Sequence, residues 1–182
     1  LWHNEIETGV VEGDYIVALI SDISDDGTPA HPLARLDQVK LLPPCQPHNI
    51  VCIGRNYREH AAETGSEVPS EPLIFLKPTT SLIAHGDAIV YPGWVTQHVD
   101  HEGELAVVIG RTCWRVGEDE ALDYVLGYTI GNDVTARDLQ RKDGQWTRGK
   151  GFNTFCPLGP VLVEGIDASD LAIQTRVNGV VK

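Results

Sequence analysis

The strongest strand signal in the chain runs over residues 104–110, and two acidic residues lie at its start. Successive side chains of a strand point to opposite faces, so Glu102 and Glu104 share a face that Ala106 and Val108 continue toward a core. Two neighbouring carboxylates are costly to bury without compensation. Either a cation lies between them, or both lie in water before the strand turns inward. The spacing alone favours the solvated arrangement.

Most other regular structure predicted from the sequence is also extended, and prolines divide it into two parts. The segment Pro43-Pro44-Cys45-Gln46-Pro47 suits neither a helix nor a central strand. We therefore predict a small β-rich N-terminal domain over residues 1–45 and a larger domain over 46–182. Strands are predicted at 15–20, 39–42, 49–53, 73–76, 89–91, 127–131, 160–163 and 173–177, with helices at 57–63 and 118–125.

A strong turn signal, Asn178-Gly179, is typical of a two-residue hairpin. Only three residues follow it in the sequence, so we expect the larger domain to be truncated at its C-terminus.

Composition excludes several classes of partner. The 182 residues carry a formal net charge of -12, which disfavours binding to nucleic-acid phosphates. The sequence contains no apolar run of the roughly 18 residues that a membrane-spanning helix needs. Its 4 cysteines form no CxxC motif and no zinc-like spacing, which favours free thiols in a reducing compartment. We expect a cytoplasmic protein.

Asp133 follows a predicted strand and has two interpretations. It could cap the next helix, since Asp is common at that position, or it could join Glu102 and Glu104 as a third acidic ligand. Three carboxylates without a soft ligand favour a hard ion, Mg²⁺ first, with Mn²⁺ or Ca²⁺ also suitable.

His60 and Glu63 lie three residues apart on a predicted helix and therefore on one face. A carboxylate beside an imidazole orients it and favours its protonated form, as in a general base. An ordinary surface pair of the two side chains is the alternative.

Four further polar residues are candidates with equally simple alternatives. Lys150 lies between two glycines, which would let the backbone approach a ligand, but it could be a loop lysine. Lys77 ends an apolar run, where a lysine often extends its amine to solvent. Arg137 and Gln140 could simply face water on a helix.

The order of these motifs is more specific than any one of them. Five collinear segments resemble the fumarylacetoacetate hydrolase family from about residue 49 onward. They are Cys52-Ile-Gly-Arg-Asn-Tyr-Arg-Glu-His60-Ala-Ala-Glu63, Phe75-Leu-Lys-Pro78, Glu102-Gly-Glu104-Leu-Ala-Val-Val-Ile-Gly110, Gly127-Tyr-Thr-Ile-Gly-Asn-Asp133-Val-Thr-Ala-Arg-Asp138, and Gly149-Lys-Gly-Phe152 with Pro157-Leu-Gly-Pro160.

The resemblance implies an α+β fold around a mixed, rolled β-sheet, usually in a homodimer. It implies a Mg²⁺ or Mn²⁺ site at Glu102, Glu104 and Asp133, and a catalytic His60–Glu63 dyad on a lid of about residues 57–71. It also implies a catalytic role for Lys150 and substrate contacts from Lys77, Arg137 and Gln140.

The implied chemistry is metal-dependent hydrolysis of a C–C bond in acylpyruvates or 1,3-diketo acids, through an enolate that the cation stabilises. An isomerase or decarboxylase of 2-hydroxymuconate-type or oxaloacetate-type substrates in aromatic catabolism is the alternative, because the same enolate serves each reaction. A non-catalytic acidic β domain that binds a cation is the alternative of another class.

Overall fold

A computed structural model describes residues 6–19, 33–54, 57 and 69–182 of the chain. Within these residues the protein has many short strands and few helices, and its strand pairs are antiparallel except for one parallel pair. The α+β class with mixed strands is therefore confirmed, whereas the rolled shape of the sheet stays a prediction. None of the helices in the described ranges has the length and apolar character to cross a membrane.

The N-terminal part forms a small antiparallel sheet of three strands, as predicted for a β-rich segment. A tight turn at Gly13, which has a φ of +57°, brings the first two strands together so that Glu12 pairs with Tyr15. The strands are β1 (Gly9–Glu12), β2 (Tyr15–Leu19) and β3 (Ala34–Arg35), and a 3₁₀ helix follows at Leu36–Gln38.

The next pair of strands delivers a lysine to the interior. Strands β4 (Ile50–Gly54) and β5 (Leu73–Lys77) pair in antiparallel register, with Ile50 opposite Lys77. Along β5, Phe75 and Lys77 are buried, whereas Ile74 and Leu76 are exposed. A 3₁₀ helix at Thr79–Ser81 and the short strand β6 (Leu82–Ile83) follow.

A long hairpin carries the acidic residues. Strand β7 (Val99–Asp100) precedes β8 (Gly103–Ile109), which pairs with β9 (Val125–Asn132) so that Glu104 lies opposite Gly131. Apolar and β-branched residues at alternate positions favour these strands. A 3₁₀ helix at Glu118–Tyr124 connects them.

The remaining elements are short strands and short helices that follow the long hairpin, together with a small apolar core. Strand β10 (Thr135–Ala136) pairs with β7, and helices α1 (Arg137–Asp143) and α2 (Thr147–Lys150) follow directly. Strand β11 (Cys156–Pro157) runs parallel to β6, and β12 (Arg176–Val177) pairs with β13 (Val180–Val181). A small apolar core beside the site consists of Val134, Ala136, Leu139 and Phe155.

Several strand predictions are confirmed and others are wrong. The predictions at 49–53, 73–76, 104–110 and 127–131 are confirmed, and Asn178-Gly179 forms the expected hairpin turn with positive φ at both residues. Residues 39–42 and 89–91 form no strand, and 160–163 contributes one isolated bridge at Val163. At 173–177 only Arg176–Val177 is a strand, and the helix predicted at 118–125 is a 3₁₀ helix. The predicted helix at 57–63 lies outside the described residues except for Tyr57.

Candidate metal centre

Three carboxylates meet at the open end of the β8–β9 hairpin. One oxygen each from Glu102, Glu104 and Asp133 lie within 4.8 Å of one another. The hairpin register produces this convergence, because the amide of Asp133 donates a hydrogen bond of 2.9 Å to the carbonyl oxygen of Glu102. The residues that the sequence singled out as a possible cation site therefore do come together.

Asp133 lies between two buried lysines. Its Oδ1 accepts a hydrogen bond of 2.6 Å from Nζ of Lys77, and its Oδ2 accepts one from Nζ of Lys150. Relative exposures are 5% for Asp133, 3% for Lys77 and 2% for Lys150, so these ion pairs are shielded from water. Lys77 also donates to the carbonyl oxygen of Val134 at 3.2 Å. Neither lysine extends its amine to solvent, which excludes the simple surface alternatives.

Lys150 connects two of the acidic residues. Its Nζ donates to Oε2 of Glu102 at 3.1 Å and to the hydroxyl of Thr135 at 2.9 Å, in addition to Asp133. Gly149 makes this placement possible, because a Cβ there would lie 2.9 Å from the backbone nitrogen of Gln140. The glycine therefore lets α2 approach α1 closely, and this approach places Lys150 in contact with the carboxylates of Glu102 and Asp133.

Arg137 forms the outer wall of the cluster. Its Nε donates to Oδ2 of Asp100 at 2.8 Å, a terminal nitrogen contacts Oε1 of Glu102, and the other donates to Gln140 at 3.0 Å. Burial raises the pKa of Asp100, but the guanidinium of Arg137 and then the imidazole of His98 outweigh it and lower the pKa overall. Arg137 thus favours the ionised form of Asp100.

Sequence reasoning missed two polar residues of this cluster, Asp100 and Thr135. The same alternation that pairs Glu102 with Glu104 extends back to Asp100, and Asp133 alternates with Thr135 on the way to Arg137. Polar residues at every second position over residues 100–104 and 133–137 are the signal that would have identified both.

Glu104 is the one member of the acidic trio for which the described residues offer no hydrogen bond or ion pair. Burial, followed by the charges of Asp133 and Glu102, raises the pKa of Glu104 to about 7. Among the described residues no cation forms an ion pair with this carboxylate, although the charges of Lys150 and Lys77 partly offset the rise in its pKa. Carboxylate oxygens at this spacing are the donors that Mg²⁺, Mn²⁺ and Ca²⁺ bind, so a hard divalent cation fits the cluster.

The cysteines near the cluster are poor nucleophiles. Burial raises the pKa of Cys52 to about 12 and that of Cys156 to about 11. Both thiols are protonated at neutral pH, and the thiolate is the reactive form. The four cysteines are all free, as predicted.

His60 and Glu63 lie outside the described residues. Tyr57, the described residue nearest to them in sequence, accepts a hydrogen bond of 3.1 Å at its hydroxyl oxygen from the amide of Leu105 on β8. The predicted dyad therefore stays a prediction.

Comparison with known proteins identifies the family of this chain. Residues 49–182 match the family described as "Fumarylacetoacetate (FAA) hydrolase C-terminal". The chain is 47% identical over 151 residues to the oxaloacetate tautomerase YisK of Bacillus subtilis, covering 79% of this chain and 50% of that protein. It is 58% identical over 144 residues to an uncharacterised protein of Archaeoglobus fulgidus, covering 79% of this chain and 57% of that one. The chain thus spans about half the length of the curated relatives it matches.

A solved structure shares the fold over almost the whole chain. The 5-carboxymethyl-2-hydroxymuconate delta-isomerase of Mycobacterium smegmatis superposes with a TM-score of 0.78 at 44% identity, covering 96% of this chain and 67% of that one. Together with the matched family segment, which includes every candidate site residue, this similarity shows that the chain belongs to the fumarylacetoacetate hydrolase family.

Proposed function

We propose that this chain carries the metal site of an enzyme that isomerises or tautomerises 2-oxo acids with an acidic C–H beside the carbonyl. The observation that carries the proposal is the convergence of Glu102, Glu104 and Asp133 within 4.8 Å next to the cations of Lys150 and Arg137. The names of two similar proteins, an oxaloacetate tautomerase and a hydroxymuconate isomerase, support this reaction class over hydrolysis.

The charges of the cluster suit a small anionic substrate. A divalent cation held by the three carboxylates would supply the positive charge that favours an enolate when a proton leaves the neighbouring carbon. Lys77 and Lys150 form ion pairs with Asp133, and Lys150 and Arg137 form ion pairs with Glu102. Gln140, hydrogen-bonded to Arg137, is positioned to orient the substrate carboxylate with it.

Proton transfer in this proposal belongs to His60, with Glu63 orienting its imidazole. Tautomerisation moves one proton from carbon to oxygen and consumes no water, so the reaction needs a base and a site for the enolate but no activated nucleophile. The contact of Tyr57 with β8 supports a catalytic segment that begins beside the acidic residues.

The test is turnover of three substrates by the protein: oxaloacetate, a 2-hydroxy-2,4-diene dioate and acetylpyruvate. We expect the enol absorbance of the first two to relax faster than in buffer, with loss of that acceleration in EDTA and recovery with Mg²⁺ or Mn²⁺. His60→Ala should lower the rate at least about hundredfold, as removal of a general base does. Lys142→Met, a charge deletion on the exposed part of α1, is the control. Equal rates with EDTA and with Mg²⁺ would contradict the proposal.

Cleavage of acylpyruvates is the second candidate, and one observation favours it. The fumarylacetoacetate hydrolase of Exiguobacterium antarcticum is 42% identical to this chain, with a TM-score of 0.71 over 79% of the chain and 53% of that protein. Release of acetate and pyruvate from acetylpyruvate in the same assay would select hydrolysis. Binding of a small 2-oxo acid or diketo acid and assembly as a homodimer remain parts of the proposal.

A further inference from the structure

Lys150 is the most completely coordinated cation among the described residues. An ammonium group has three N–H donors, and those of Lys150 are all used within the protein. They go to Glu102, Asp133 and Thr135.

Two aromatic rings also lie close to the ammonium group of Lys150. Its Nζ lies 4.7 Å from the ring centre of Phe75 and 5.7 Å from that of Trp146, within the range of cation–π attraction. The two rings pack edge to face with centroids 5.3 Å apart. Three acceptors and two rings therefore fix Nζ next to two of the three candidate metal ligands.

We infer that Lys150 is the built-in counter-cation of the acidic cluster and sets how weakly a divalent cation binds there. This inference rests on the proposed metal site. Lys150 neutralises Glu102 and Asp133 when no ion is bound, and its positive charge opposes an incoming one. Because like charges repel strongly where water is excluded, the cost falls on metal affinity. Lys150 is thus a positioning residue for the metal ligands.

The experiment compares Lys150→Met with the wild-type protein and with Lys142→Met, using calorimetric titration with MnCl₂ and with MgCl₂. Methionine is a flexible apolar side chain of similar length, and it removes the charge that lies near Phe75 and Trp146. We expect the dissociation constant of Lys150→Met for Mn²⁺ to fall at least about tenfold, and that of Lys142→Met to stay within about twofold. An unchanged or weaker affinity of Lys150→Met would overturn the inference.

A thermal measurement covers the case in which Lys150→Met folds poorly without metal. If the ion can replace the lost ammonium, saturating MnCl₂ must restore a cooperative unfolding transition, and the rise in Tm on metal addition must exceed that of the wild type. A variant that stays unfolded at saturating metal contradicts the inference. Failure of the wild type to bind Mn²⁺ at all would instead refute the proposed metal site, and absence of turnover with normal metal binding would refute only the proposed reaction.

Discussion

Asp133 and Glu104 belong to one acidic cluster, but their surroundings differ. Both oxygens of Asp133 accept hydrogen bonds from buried lysines, and its carboxylate is almost fully enclosed. Glu104 lies on β8, and the described residues form no ion pair with it. Asp133, the paired side of the cluster, is charge-balanced without an added ion, whereas the described residues leave Glu104, the unpaired side, without such a balance. A cation therefore has most to contribute beside Glu104.

The largest effect is expected on the paired side. Asp133→Asn removes the charge that two buried ammonium groups share, and an uncompensated buried charge is costly. In EDTA we expect the free energy of unfolding to fall by about 3–5 kcal/mol, the usual cost of breaking a buried pair from one side. Urea unfolding followed by circular dichroism measures it. A loss below about 1 kcal/mol would mean that the lysines reach water or other acceptors, as exposed pairs do.

How far the sequence predicts this site depends on the distance over which each contact acts. The hairpin β8–β9 follows from local alternation, and with the resemblance it predicts that Glu102, Glu104 and Asp133 converge. The partners of Asp133 do not follow, because Lys77 is 56 residues away in sequence and Lys150 is 17 away. Their placement requires the packing of β5 and α2 around the hairpin, which local patterns do not encode.

The failed strand predictions have the same physical origin. Residues 89–91 have the β-branched and aromatic composition of a strand, but the amide of Val90 donates to the hydroxyl of Thr154 at 2.8 Å instead of to a neighbouring strand. Composition indicates that a segment can be extended, whereas a strand needs a partner at the correct distance. Where the partner is adjacent in sequence, as at Asn178-Gly179, the prediction succeeds.

Removing the charge of Glu104, on the unpaired side, should raise the stability of the metal-free protein, whereas removing that of Asp133 lowers it. The folded pKa of Glu104 is about 7, above the ordinary value of 4.5, so the folded protein holds a proton that the unfolded chain has lost. Stability of the metal-free protein should therefore fall as pH rises from about 4.5 to 7, with the loss complete above 7.

Glu104→Gln tests this directly. In EDTA at pH 8 we expect the variant to be more stable than the wild type by about 2–3 kcal/mol, somewhat less than the full pKa difference implies because the side chain is partly exposed. At pH 5 the two proteins should nearly coincide. Binding of Mn²⁺ should weaken at least about tenfold, because one carboxylate ligand is lost. Destabilisation at pH 8 would show that Glu104 has a partner which supports its charge.

The smallest effect is expected when an aspartate of an exposed ion pair is replaced by asparagine. Asp37 contacts Nε of Arg35 at 3.1 Å, but the two side chains are 65% and 45% exposed. Because water solvates both groups after the pair is broken, Asp37→Asn should leave the urea midpoint unchanged within error, at low and at high salt. Asp37→Asn and Asp133→Asn remove the same charge and preserve nearly the same shape, so they differ mainly in burial. Suppose that Asp37→Asn lowered stability as much as Asp133→Asn. Burial would then not explain the effect at Asp133, and the change in net charge that the two variants share would be the explanation.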